Sequence, residues 1–197
     1  MRVFFFVFVA VCLSACASPA RAQVEIFGGY SYLRPSLTYT ETVVGCTVGV
    51  PGCPAPTAVT AHPNLNGWEL TGVVDAYHWL GLAADFGGNY GSVRGASAHA
   101  NTYLLGPQIR LPGPISPFAH AFVGEAQERI GGAITTEGSY IMPGSSNALA
   151  AAVGAGLDIK ILPLVALRPI QLDYVVTRFG SGTQSQPRAS AGLMIHF

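Results

Sequence analysis

Acidic and basic side chains recur within several apolar stretches of this sequence, and they are the first candidates for chemistry. Successive side chains of a strand point to opposite faces, so charges at alternate positions gather on one face. Grouped carboxylates and cations can form either a salt-bridged plug or a path for protons or ions. An unpaired buried charge costs several kcal/mol, which favours the plug. The candidates are Glu25, Glu69, Asp75, Asp85, Arg110, Glu125, Asp158, Lys160, Arg168, Asp173 and Arg188.

Catalytic and cofactor motifs are weak. Ser97 and His99 could be half of a hydrolase site, but no orienting acid or oxyanion donor accompanies them. The stretch Gly154-Ala155-Gly156 resembles a dinucleotide loop, yet Ile159 stands where the third glycine belongs. Metal-ligand spacing is also lacking among His62, His78 and His196. The sequence therefore predicts no catalytic residue, no cofactor and no metal.

Two cysteines stand in a segment rich in glycine, proline and threonine. Cys46 and Cys53 form an even pair, which in an exported protein indicates a local disulfide. A metal site is disfavoured, because only His62 lies near these thiols.

The composition is typical of a chain whose surface does not face water everywhere. Half of the 197 residues are hydrophobic and only 10% are charged, against roughly a quarter in soluble domains. No apolar run after the leader reaches the roughly 20 residues that a membrane helix requires. A barrel with lipid outside accounts for both observations. No basic stripe indicates a nucleic-acid partner.

Eight alternating segments predict strands long enough to cross a bilayer at a tilt. The loops between them alternate between long or moderate and short, as in an up-and-down barrel with both termini on the side of the short turns. The predicted strands are Val24–Arg34, Asn66–Tyr77, Leu80–Gly91, Ala100–Leu111, Pro117–Glu128, Asn147–Ile161, Val165–Thr177 and Pro187–Phe197.

The faces of these strands divide into an apolar side and a charged side, with three irregularities. If Glu125 points into the lumen, His120 must face lipid. Arg168, Gln171 and Asp173 can share a face only with a β-bulge at Pro169. Pro107 lies within a strand with no evident reason. Aromatic residues form two candidate interfacial girdles: Tyr30, Tyr32, Trp68, Tyr90 and Tyr103 at the loop end, and Trp79, Phe118 and Phe197 at the turn end.

The first 22 residues have the pattern of a secretory signal peptide. Arg2 precedes an apolar core, and Ala20-Arg21-Ala22 is a small-x-small cleavage site before Gln23. Cleavage after Ala22 leaves residues 23–197 as one barrel domain. An alternative stays open, because Leu13-Ser14-Ala15-Cys16 also fits a lipobox that would make Cys16 a lipidated N-terminus.

The C-terminal octet Ser190–Phe197 carries the pattern polar-x-Gly-x-x-apolar-x-aromatic, formed by Ser190, Gly192, Ile195 and Phe197. It resembles the signal by which the bacterial outer-membrane assembly machinery recognises the last strand of a barrel. Further matching stretches are Phe27–Tyr32, Leu104–Pro107, Pro117-Phe118 and Gly154–Asp158. With these, the chain resembles the small outer-membrane β-barrels typified by the transmembrane domain of OmpA and by OmpX.

This resemblance implies an all-β fold: an eight-stranded antiparallel up-and-down transmembrane β-barrel in the bacterial outer membrane. Its implied partners are membrane lipid, lipopolysaccharide and the assembly machinery, and a monomer is expected. The expected function is a structural, adhesive or surface-interaction role carried by the external loops, without catalysis. The alternatives are a lipid-modifying enzyme, a narrow channel and a soluble lipocalin-like barrel.

Overall fold

The computed structural model describes residues 23–45, 51–135, 138–179 and 182–197, and these build a closed antiparallel barrel with a small second sheet. The leader 1–22, including Cys16, lies outside these ranges, as does Cys46. The signal peptide, the lipobox and the disulfide therefore stay predictions. No helix within the described ranges is long and apolar enough to span a membrane.

The described residues form twelve strands in chain order. Their bounds are β1 Val24–Leu33, β2 Leu37–Val43, β3 Thr57–Ala61, β4 Leu65–Tyr77, β5 Leu80–Val93, β6 Ala96–Arg110, β7 Ile115–Ile130, β8 Ala133–Ile134, β9 Ser139–Ile141, β10 Gly144–Leu162, β11 Val165–Phe179 and β12 Gly182–His196.

The barrel contains the eight strands that the alternating pattern predicts. Their order around the wall is β1-β12-β11-β10-β7-β6-β5-β4, so each strand pairs with its nearest barrel strand in sequence and β12 closes against β1. Glu25 pairs with His196 at one end of this seam and Leu33 with Arg188 at the other. Closure leaves the barrel without an edge strand, which removes the unpaired backbone groups that an edge exposes.

The other four strands form a sheet in the long loops, with the order β3-β2-β9-β8. The alternating pattern did not predict them. Strand β2 lies in the first long loop and β9 in the third external loop, and they pair from Glu41–Ile141 to Val43–Ser139. We call β2, β3, β8 and β9 together the loop sheet.

A continuous apolar core joins the loop sheet to the barrel rim. Leu37, Tyr39 and Ile141 of the loop sheet are buried with Leu33 and Leu65 of the barrel. Val93, Ala96, Ala98 and Ala100 around the β5–β6 turn complete this cluster, which we call the rim core. The turn itself is tight, with positive φ at Arg94 and Gly95. The rim core therefore packs the loop sheet against the loop end of β1, β4, β5 and β6.

The bulge predicted at Pro169 is confirmed. The register of β11 against β12 shifts between Arg168 and Gln171, and the side chains of Arg168, Gln171 and Asp173 are all buried. The pairing of β6 with its two neighbours explains how Pro107 is tolerated within the strand. Its pairing with Leu82 on β5 is intact, whereas the β6–β7 ladder omits Gly106 and Pro107. The missing N–H of Pro107 thus falls where the ladder is already interrupted.

The barrel exterior is apolar and the interior is mixed. Large hydrophobic side chains such as Leu82, Leu105, Val123, Val153 and Leu172 are exposed on the wall. Inside, an apolar cluster and buried charged side chains lie next to each other, and β4, β5, β10 and β11 contribute to both. The apolar cluster comprises Val73, Ala83, Leu104, Phe122, Ala126, Ala150, Ala152 and Val175.

Candidate functional site

The centre of the lumen holds Arg188 among three carboxylates. Its guanidinium lies 2.9 Å from Asp85, 2.8 Å from Asp173 and 3.4 Å from Glu69. These four residues come from β12, β5, β11 and β4, and all of them are buried. Ser190 lies two residues after Arg188, on the same inner face of β12, and it donates a hydrogen bond to Glu69. Arg188 therefore holds together strands that lie across the barrel as well as beside each other.

A second arginine, Arg168, lies fully buried beside this group. Its Nε and Nη2 atoms donate to the two oxygens of Asp158 at 2.7 and 3.0 Å, and Nη1 donates to Gln171 at 2.7 Å. The guanidinium carbon lies 4.4 Å from the ring centroid of Phe27 and 4.0 Å from that of Phe118. Two ring faces, a bidentate carboxylate and an amide thus surround this cation.

Gln171 connects the two arginine groups. While its carbonyl accepts from Arg168, its amide nitrogen donates to Glu69 at 2.7 Å and to Asp173 at 2.9 Å. The two groups therefore form one network, which we call the lumen network. It brings together the predicted residues Glu69, Asp85, Asp158, Arg168, Asp173 and Arg188.

Strand β7 corrects the sequence analysis, because its predicted face was inverted. His120 is buried in the lumen, where its Nε2 lies 2.8 Å from Asp173, and its ring stacks on Phe122 with centroids 4.1 Å apart. Glu125 is exposed on the outer wall between Tyr103 and Leu149, so its placement in the lumen was wrong. Phe118 is likewise buried against Arg168 and belongs to no girdle. His120 and Glu128 share the inner face of β7, and these two polar residues were the signal for the correct face.

Gly154 explains why His120 and Asp173 can approach each other. Gly154 lies between them, paired with His120 on β7 and with Asp173 on β11. A Cβ atom at this position would overlap Asp173 and lie 2.6 Å from His120 Nε2. The glycine motif around Gly154 therefore leaves space within a strand and is not a nucleotide loop.

A separate ionic cluster lies at the turn end of the lumen. Arg110 forms a bidentate pair with Glu25, whose carboxylate also lies 2.8 Å from Nδ1 of His196. Asp75 is half-buried at this same end, where its backbone N–H bonds to Gln23. Lys160 is exposed near the β10–β11 turn and takes part in no ion pair among the described residues, so its assignment to the network was wrong.

The loop end of the lumen has polar contacts that the sequence analysis missed. Gln186 donates to Glu128 and, at 3.2 Å, to Thr177, and all three side chains are buried. Above them, Arg94 of the β5–β6 turn forms a 2.8 Å salt bridge with Glu41 of the loop sheet. Glu128 follows Ala126 on the inner face, so the correct face of β7 would have identified it.

The outer wall at the loop end contains a shallow, open pocket of about 520 Å³. Ser97 and His99 of β6, Arg129 of β7 and Ser145 of β10 line it, with Pro143 and Gly144. No carboxylate lines this pocket within the described part of the chain. Ser97 and His99 thus lie together, but the acid of a hydrolase triad is lacking there.

The residues of the C-terminal pattern occupy both faces of β12 as predicted. Ser190 points inward to Glu69, whereas Ile195 is exposed on the wall. Gly192 lies against Gly28 of β1 with no room for a side chain. Phe197 is exposed, and its N–H bonds to the carbonyl of Val24 at 2.8 Å, which extends the closing seam to the last residue.

Within the described ranges, no group of three or more His, Cys, Asp or Glu side chains could hold a metal ion. Comparison by sequence gives no matching family model and no matching curated protein.

Comparison by structure gives matches among small outer-membrane barrels. Neisserial surface protein A is 9% identical, with 88% of this chain and 97% of that chain covered and a TM-score of 0.60. Ail, the attachment invasion locus protein of Yersinia pestis, is 13% identical, with 88% and 99% covered and a TM-score of 0.50. The chain therefore has the eight-stranded barrel fold that its resemblance to OmpA and OmpX implies.

Proposed function

We propose that this chain is an integral protein of the bacterial outer membrane, whose barrel anchors the loop sheet at the cell surface for a structural, adhesive or surface-interaction role. The observation that carries this proposal is the rim core, in which Leu37, Tyr39 and Ile141 of the loops are buried with Leu33 and Leu65 of the barrel. Loops packed in this way present a fixed surface to a partner instead of a mobile one.

The distribution of polarity supports the membrane location. Exposed leucine and valine side chains cover the outer wall, while the lumen network is buried within it. A contiguous apolar surface of this kind is unfavourable in water and suits lipid. A soluble lipocalin-like barrel would need the opposite distribution, with polar side chains outside, and is disfavoured for that reason.

The closing seam supports recognition by the outer-membrane assembly machinery and a monomeric state. Strand β12 carries the pattern of Ser190, Gly192, Ile195 and Phe197, and it completes the barrel by pairing with β1. Backbone groups left unpaired in lipid cost several kcal/mol each, so the last strand must close before the barrel is stable. Closure within one chain requires no second copy.

A narrow channel is the first rival. Arg168 and Arg188 are almost completely buried with their carboxylates, and the rim core packs the loop sheet onto the loop end of the barrel. Eight strands give an interior that side chains can fill. We therefore expect no single-channel conductance steps above the noise in planar bilayers. Reproducible steps would favour the channel.

A lipid-modifying enzyme is the second rival. Ser97 and His99 share the outer-wall pocket, but a serine nucleophile needs a base oriented by an acid, and no carboxylate among the described residues lines the pocket. We propose that the protein is not an enzyme. Cells with and without the protein should have the same lipid A acyl chains by mass spectrometry, and a change that depends on Ser97 would overturn this part of the proposal.

The decisive experiment for the location is fractionation of cells that express the full chain. The protein should be found in the outer-membrane fraction and migrate faster on a gel when it is not boiled, because an intact barrel resists SDS until heated. Protease added to whole cells should cleave loop sites and spare the barrel strands. Recovery in the soluble periplasmic fraction, with no change of migration on heating, would contradict the proposal.

A further inference from the structure

The outer-wall pocket at the loop end combines donors that suit an anion. Arg129 supplies a guanidinium, His99 an imidazole, and Ser97 and Ser145 two hydroxyl groups. The ring of His99 is held edge-on to Tyr90, with centroids 5.2 Å apart and planes at 80°. No described residue forms an ion pair with Arg129, whose side chain is exposed. A guanidinium with neighbouring hydroxyl and imidazole groups matches the oxygens of a phosphate.

Among the described residues, Glu125 is the acid on the outer face of β7. It lies four residues before Arg129, closer to the middle of the wall, where it pairs with Tyr103 and Leu149. Gln127 lies between Glu125 and Arg129 on β7, and its amide donates a 3.0 Å hydrogen bond to Asn147 on β10. The pocket therefore presents a cation that is available to a ligand.

The position of the pocket indicates where such a ligand comes from. Along the outer face of β7, apolar Val123 is followed by Glu125, Gln127 and Arg129, and the neighbouring residues on β6 and β10 change from apolar to polar in the same way. This change marks the level at which lipid tails give way to headgroups. Arg129 lies on the loop side of this level and faces outward from the wall, not into the lumen. In a membrane, the group next to Arg129 is therefore a lipid headgroup.

We propose that this pocket binds the phosphate group of a headgroup in the outer leaflet, with Arg129 as the principal cation and His99, Ser97 and Ser145 as further donors. This inference rests on the proposed outer-membrane location. It assigns Ser97 and His99 to lipid binding, in a pocket where the described residues provide no acid for a hydrolase site.

Purified barrel in detergent micelles provides the test, with intact-protein mass spectrometry to count bound lipid. The probes are bisphosphorylated lipid A, lipid A from which both phosphates have been removed, and inorganic phosphate. Wild-type protein should retain bisphosphorylated lipid A, and Arg129→Ala should weaken this binding about tenfold, since hydrogen bonds between charged groups are the strong ones. His99→Ala should cause a smaller loss.

Arg178→Ala is the matched control, because Arg178 is an exposed arginine at the loop end of β11 that does not line the pocket. It should leave lipid A binding unchanged, and all variants should keep the heat-dependent gel migration of a folded barrel. Equal losses for Arg129→Ala and Arg178→Ala, or equal binding of dephosphorylated lipid A, would overturn the site. Displacement of lipid A by an equal concentration of inorganic phosphate would overturn its assignment to a lipid.

The outcome in micelles is independent of where the protein resides in the cell. A failure of lipid A binding with a correct outer-membrane fractionation would reject this inference alone. A protein found in the periplasm would reject the proposed function itself.

Discussion

Arg168 shows how a charge can be kept in the narrow lumen. Its guanidinium has no exposure to solvent, and it is held by Asp158, Gln171 and the rings of Phe27 and Phe118. The bulge at Pro169 is what turns Arg168 and Gln171 to the same side. One irregular backbone position therefore determines whether the lumen network can form.

We expect Arg168→Ala to lower the free energy of unfolding by about 3–5 kcal/mol, because the change leaves Asp158 as a buried, unpaired carboxylate. Denaturant unfolding of the refolded barrel in detergent measures it. The double variant Arg168→Ala with Asp158→Asn should recover part of the loss. Arg178→Ala, on the outer wall, is the control and should have little effect. Strictly additive losses for Arg168 and Asp158 would show that the two side chains are not coupled.

At the scale of the strand, β6 and β7 define the apolar band. Leu105 pairs with Val123, and both are exposed on the wall, whereas Tyr103 and Glu125 follow toward the loop end. The cost of a charge on a lipid-facing position depends on its depth, falling from about 2–4 kcal/mol at the midplane to about 0–1 near the interface. An arginine introduced at each of the two levels therefore tests where the band ends.

Leu105→Arg should lower barrel stability by about 2–4 kcal/mol, and Glu125→Arg by about 0–1 kcal/mol. Refolding into lipid vesicles, followed by denaturant titration, compares the two. The inner-face variant Ala83→Ser changes no lipid contact and should be mild. If Leu105→Arg and Glu125→Arg cost the same, the apolar band does not end between them.

The predicted disulfide would lie in the loop that connects β2 to β3. A bridge between Cys46 and Cys53 would close a short ring, for which loop entropy gives roughly 2–3 kcal/mol of local stabilisation. Reduction should make the β2–β3 loop easier to cleave with protease and leave the heat-dependent migration of the barrel unchanged. A free-thiol assay on the mature protein that finds both cysteines reactive would reject the bridge.

For the whole molecule, we propose that Phe197 has two separable roles, one in closing the barrel and one as part of the assembly signal. Phe197 bonds to Val24 and extends the seam that closes the barrel, and its ring is exposed at the turn end. We expect deletion of Phe197, or Phe197→Asp, to reduce the yield in the outer membrane sharply and to leave precursor exposed to periplasmic proteolysis. Refolding of the purified chain into detergent should be affected much less, because no assembly machinery acts there. Equal losses in cells and in detergent would show that Phe197 is not an assembly signal.

The barrel could be predicted from the sequence because its signals are local. Alternation along each segment gave the eight strands, and Pro169 between Arg168 and Gln171 gave the bulge. The face of β7 was predicted wrongly because Glu125 was assumed to avoid the outer wall, whereas it lies where the apolar band ends. The loop sheet depends on pairing between β2 and β9, which are distant in sequence, and its longest strand, β2, has only 7 residues, too few to cross a bilayer.

The partners within the lumen could not be predicted either. Arg188 meets Asp85 and Glu69 across the barrel, and which carboxylate faces which arginine depends on the register of several strands at once. Strand alternation states only that these side chains point inward.

The rim core also has a mechanical consequence. The loop sheet is packed onto the barrel through Leu37, Tyr39 and Ile141. A force that a partner applies to the sheet therefore acts directly on the barrel and not through a flexible linker. The load passes through the apolar contacts to β1, β4, β5 and β6, whose hydrogen-bond ladders continue to the turn end of the barrel. Attachment at the cell surface would therefore be stiff, and under tension the apolar contacts between the sheet and the rim would separate before the wall of the barrel yields.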